Sequence, residues 1–135
     1  MKLTLTAFVT LVAVVSVTQA AIAHHSFSAE FDANSPFILK GVVTRIEWKN
    51  PHTYFYVDVT GTDGTVANWA MEMGSPNGLM RQGWTRNTLK IGDKITVDGS
   101  PAKDGTHLGN ANSVILDATG KRLFAASSQN ETAER

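Results

Sequence analysis

Apolar residues return at every second position in five separate runs between Phe37 and Leu116, and one short helical pattern interrupts them. Such alternation marks half-buried strands. The first run places Ile38, Val42, Ile46 and Trp48 on one face, opposite Arg45 and Glu47, with Gly41 as a candidate bulge. After the break at Asn50-Pro51, residues 52–59 form a second run with Phe55, Val57 and Val59 on one face and Tyr54, Tyr56 and Asp58 on the other. Gly61-Thr62-Asp63-Gly64 is a hairpin turn, because an Asp-Gly pair tolerates positive φ. The third run, 66–73, aligns Trp69, Met71 and Met73.

Ser75-Pro76 then reads as an N-cap followed by proline at the first helical position, which opens a short helix that stops near Gly83. Trp84 is placed to seal one end of the core. A fourth strand at 94–99 turns Ile95 and Val97 inward, a polar loop at 100–109 carries His107, and a fifth strand follows at 111–116. Arg122-Leu123-Phe124 is a candidate extension of the sheet. Three strands, a helix and two strands is the chain order of the OB-fold, a closed barrel that removes free strand edges. The predicted class is mainly β: a small five-stranded OB-like barrel with one short helix between strands 3 and 4. A β-sandwich, the second choice, would use more strands and no central helix.

Ahead of the barrel, Met1-Lys2 leads into Leu3, Leu5, Ala7, Phe8, Val9, Leu11, Val12, Val14 and Val15 and ends at Ala21-Ile22-Ala23. A basic start, an apolar stretch of about a dozen residues and small residues before the cut are the parts of a secretory signal peptide. Cleavage after Ala23 is expected. The stretch is short for a membrane span of ~20 residues, and no basic stop-transfer cluster follows. Removing 23 of the 135 residues leaves 112, enough for one core and too few for two. The expected organisation is a signal peptide at 1–23, an N-terminal arm at 24–36, the barrel at 37–124 and a disordered tail at 125–135.

The chain has no cysteine, so packing rather than disulfides must hold it outside the cytoplasm. Loss of Lys2 with the signal leaves eleven basic side chains against twelve acidic ones. That balance leaves no footprint for nucleic acid or for an anionic membrane. The expected product is a soluble protein of the periplasm or medium that takes an unknown small ligand or exported protein partner, with no nucleic acid and no membrane insertion after cleavage. No H-E-x-x-H, nucleophile elbow or phosphate-binding glycine loop is present, and Glu47, Asp58 and Glu72 fall on predicted outward faces rather than in one pocket. The reading is therefore non-enzymatic, with a copper-dependent oxidative enzyme as a minor alternative.

Four histidines carry the sharper hypothesis: His24, His25, His52 and His107. Cleavage after Ala23 would free the amine of His24, and an amine, its own imidazole and further imidazoles form a tetragonal nitrogen set suited to Cu(II). His24, His25 and His52 are the candidate metal residues, and His107 is another source of an imidazole. The competing reading makes His24-His25 a polar start to the arm. Trp69, Met71 and Met73 are similar in residue type to the soft-metal set of exported copper and silver chaperones, although the spacing differs and such a stripe suits a barrel interior. Tyr54 and Tyr56 are a candidate ligand surface on which bases, sugars or a peptide would stack, the alternative being an oligosaccharide- or peptide-binding module.

Taken together, Ala23-His24-His25-Ser26-Phe27, Glu30-Phe31-Asp32, Lys40-Gly41-Val42-Val43, Trp48-Lys49-Asn50-Pro51-His52, Trp69, Gly74-Ser75-Pro76-Asn77 and Arg81-Gln82-Gly83-Trp84 extend over nearly the whole mature chain. The pattern resembles a family of exported bacterial proteins of unknown function. The resemblance implies a signal peptide, one small barrel and no established cofactor, and it places His24, His25 and His52 among the recurrent positions. Catalytic residues and protein-bound cofactors are not implied.

Overall fold

The Asp-Gly turn sets the register from which the barrel is built. The computed structural model describes residues 27–126. β2 (Tyr54–Thr60) and β3 (Val66–Glu72) pair from Thr60↔Val66 to Tyr54↔Glu72 across a turn in which Gly64 has φ +83°. β1 (Phe37–Glu47) pairs with β2 and, along its first half, with β4 (Lys94–Pro101). β4 pairs with β5 (Leu108–Leu116), and parallel pairing of β5 with β3 through Ala70–Glu72 closes the barrel. This is the OB topology expected, five strands in a closed ring. β6 (Lys121–Phe124) adds a sixth strand to the outside edge of β5.

Phe55, Val57, Met71, Ile95, Val97, Ala111 and Val114 fill the interior, each fully shielded from solvent. The first strand departs from the expected pattern. Ile38 is 71% exposed and Val42 is also exposed, whereas Val43 is buried and Phe37 and Leu39 pack against the core. The register with β2 shifts between Val43 and Arg45. One extra residue there turns the alternation over, so Ile46 and Trp48 join the core from the opposite parity. The bulge therefore lies just beyond Gly41. Gly41 instead gives clearance, since a Cβ would collide with the carbonyl oxygen of Asp58.

The helix α1 (Pro76–Arg81) forms as its caps dictate. The Ser75 hydroxyl accepts from the Gly78 amide at 3.2 Å, and Gly83 at φ +94° turns the chain away. Leu79 and Trp84 plug the barrel below, and Trp84 Nε1 donates to the Phe124 carbonyl at 2.7 Å. This contact ties β6 to the helical end.

The described part of the arm is attached to the barrel. Residues 27–30 form a helical turn, Phe31 is 2% exposed and bridges to Ala102, and the Lys103 amide donates to the Glu30 carbonyl at 2.8 Å. In the expected tail, Ala125 is buried, donates to Asn112 and accepts from Gly74. The expected signal at 1–23, the pair His24-His25 and the tail from 127 lie outside the described residues. Among the described residues no helix is long and apolar enough to cross a membrane.

Candidate functional site

The turn between β1 and β2 delivers His52. Beyond the strand ends the β2–β3 ladder continues, with Thr53 N–H donating to Gly74 O at 3.0 Å and Met73 N–H to Thr53 O at 2.8 Å. His52 is thereby set beside Met73 and Glu72. Its Nδ1 lies 3.1 Å from the Met73 carbonyl oxygen and 3.7 Å from Glu72 Oε1. The His52 side chain is about one-third exposed.

Glu72 is the centre of this corner. Sequence pattern placed it on a solvated outer face, but it is only 8% exposed. The Tyr54 hydroxyl donates to Oε2 at 2.6 Å, and Asn110 Nδ2 donates to Oε1 at 3.4 Å. Tyr54 is directly opposite Glu72 in the antiparallel ladder, and Asn110 opposite it in the parallel one. Asn110 Oδ1 is buried without a hydrogen-bond partner among the described residues. Burial, reinforced by the hydrogen bond to Glu72 and its charge, pushes the Tyr54 hydroxyl far above the ordinary tyrosine range. Glu30, at the end of the helical turn, also feels this corner: desolvation raises its pKa first, Glu72 and Asp104 raise it further, and His52 lowers it.

Tyr54 and Tyr56 are half-buried rather than free stacking platforms. The Arg45 guanidinium lies 3.8 Å above the Tyr56 ring, and Lys49 Nζ 5.8 Å above that of Tyr54. Both cations pair with Glu47, at 3.1 and 2.6 Å. A flat ligand would have to displace Arg45 from that face of Tyr56.

Met71 and Met73 are shielded in the core, and His52 meets the backbone carbonyl of Met73. Trp69 is half-buried between Phe37, at 5.3 Å between ring centres, and the exposed His107, at 4.9 Å. These residues form an aromatic stack beside the barrel interior. Among the described residues no three His, Asp or Glu side chains converge on a metal-sized site. The described part of the candidate metal set is thus His52 alone.

Sequence reasoning missed Glu72, Asn110 and Glu30. The hairpin register already pairs Tyr54 with Glu72, so a buried Tyr–Glu contact was legible there; Asn110 arrives only through barrel closure. No curated protein matches the chain. The model of a family described as of unknown function, DUF6152, matches residues 12–111, most of the sequence, and the chain belongs to that family.

Proposed function

We propose that this is an exported, non-enzymatic binding or accessory protein that holds Cu(II) through the amine and imidazole of His24, with His25 and His52 completing the nitrogen set. The observation that carries the reading is the setting of His52. Nδ1 is turned towards the Met73 carbonyl oxygen at 3.1 Å, with the Glu72 carboxylate 3.7 Å away, and the side chain is about one-third exposed. An imidazole held in this way is a ready nitrogen donor. The anchoring of Phe31 on Ala102 and the electrostatic reach of Glu30 to His52 put the root of the arm near the same corner. His24 and His25 lie six and five positions before Glu30 in the chain.

Mature protein beginning at His24, the same protein with one additional residue ahead of His24, and His52→Ala should be titrated with Cu(II) and Cu(I). Tight Cu(II) binding by the native form, lost on blocking the amine and weakened by His52→Ala, supports the site. Equal weak binding by all three removes it. Mass spectrometry of the exported product tests the processing on which the amine depends.

A further inference from the structure

We propose that the corner formed by Glu30, Glu72 and Asn110 is a binding site for a primary ammonium group, carried by a free diamine or by a lysine side chain of a peptide. This goes beyond the copper reading and does not depend on it, since every residue it uses lies in the barrel or in the described root of the arm.

Negative charge collects here. Glu72 is 8% exposed, and the Glu30 backbone is tied to the β4–β5 turn by the Lys103 amide, which places Glu30 beside Asp104. Glu30 is desolvated and feels the charges of Glu72 and Asp104, with only His52 opposing them. Among the described residues no lysine or arginine pairs with any of the three acids: Arg45 and Lys49 pair with Glu47, and Lys103 Nζ donates to the Ser28 carbonyl.

Asn110 gives an independent sign that a donor belongs here. The residue is 2% exposed and its Nδ2 reaches into the corner to Glu72 Oε1, yet Oδ1 of the same amide has no hydrogen-bond partner among the described residues. Buried acceptors are ordinarily satisfied, and turning the amide over would set its oxygen against the carboxylate. The corner therefore offers acceptors: Asn110 Oδ1, the Glu30 carboxylate, and Glu72, whose oxygens accept from Tyr54 and Asn110 with roughly four sites to give. An ammonium brings three donors and one positive charge to this set. A guanidinium fork needs both oxygens of one carboxylate on a single edge, and Tyr54 and Asn110 each hold one oxygen of Glu72. Among the described residues no three His, Asp or Glu side chains converge on a metal-sized site, so the spacing suits a cation that carries its own N–H donors. Glu30, exposed, and His52, about one-third exposed, form the solvent side, where a thin methylene stem can enter.

The test uses ¹⁵N-labelled mature protein, treated with chelator so that copper plays no part. At neutral pH and constant ionic strength it is titrated separately with putrescine, with acetyl-Gly-Lys-Gly-amide, and with tetramethylammonium, which has the charge but no N–H donor. Saturable amide shifts centred on residues 30, 72 and 110 are expected with at least one amine and not with tetramethylammonium. Saturation by putrescine alone assigns the free diamine, by the peptide alone the lysine side chain, and by both the ammonium head shared by the two. Glu30→Gln, an exposed change with its fold checked by circular dichroism, should weaken binding by about tenfold or more, the loss of one charge-assisted hydrogen bond. Asn110→Ala should weaken it in the same direction; if that variant does not fold, Glu30→Gln and the tetramethylammonium comparison decide alone. Shifts that fail to saturate, equal shifts with tetramethylammonium, or a folded Glu30→Gln that binds as the wild type does overturn the proposal. The copper reading stands or falls separately, on the metal titrations of the His52→Ala and amine-blocked proteins.

Discussion

Replacing Tyr54 with phenylalanine removes one oxygen and tests whether the Glu72 corner stabilises the barrel. The lost contact is the 2.6 Å hydrogen bond from the hydroxyl to Glu72 Oε2. Glu72 is 8% exposed, so water can replace the donor only in part. Hydrogen bonds to charged groups contribute roughly 1.5–3 kcal/mol, and Tyr54→Phe should cost about 2 kcal/mol. For a domain near this size that is a fall in Tm of roughly 8–16 °C. In a Glu72→Gln background the bond joins two neutral groups, and the same substitution should cost only about 1 kcal/mol. Urea unfolding of the four proteins closes a double-mutant cycle whose coupling energy isolates the contact. A Tyr54→Phe protein within about 0.5 kcal/mol of wild type, the noise of a neutral surface change, refutes the reasoning and makes Glu72 a solvated acid.

Gly99→Ala would drive a Cβ into the carbonyl oxygen of Asn110, a backbone atom fixed by the β4–β5 ladder, and should cost about 3 kcal/mol or more in urea unfolding. Gly109→Ala meets the movable side chains of Phe37, at 2.6 Å, and Met71, at 3.0 Å, and should cost less, about 1–3 kcal/mol. Trp84→Phe leaves the Phe124 carbonyl without its donor and should destabilise by about 1–3 kcal/mol, with faster amide exchange at residues 123–125 as the local signature. Asp63 and Asp104 are held below the ordinary aspartate range by the hydroxyls and amides of Thr65 and Thr106. Their contribution is present above the unfolded aspartate pKa of about 3.9 and fades as pH falls through the lower folded value. The Asp63→Asn, Asp104→Asn double variant should therefore show a flatter loss of stability on acidification; an acid-unfolding curve identical to that of wild type would contradict this.

Much of the fold was legible because its signals are local. The Asp-Gly turn fixes the β2–β3 register, Ser75 and Pro76 start the helix, and the alternation of Phe55, Val57, Met71, Ile95 and Val97 marks an inward face. The site was legible only at His52 and, through the hairpin register, at Tyr54 and Glu72. Period two assigns Glu72 to the outer face and cannot tell that this face is covered. Cover is a property of neighbours, and Asn110, thirty-eight residues away, is one that no local pattern supplies.

What the sequence alone determined, then, was the kind and order of the elements: strands by alternation, the helix by its cap, turns by Gly and Asp. Tertiary structure decided where each side chain acts. One extra residue between Val43 and Arg45 reverses the faces of β1, turning Ile38 and Val42 out and Ile46 and Trp48 in. Barrel closure through the parallel β3–β5 pairing then sets Asn110 against Glu72 and encloses the carboxylate beside His52. The physical reason is the same in both cases: propensity and periodicity act over a few neighbouring residues, whereas face and burial depend on which distant strand arrives, and in what register.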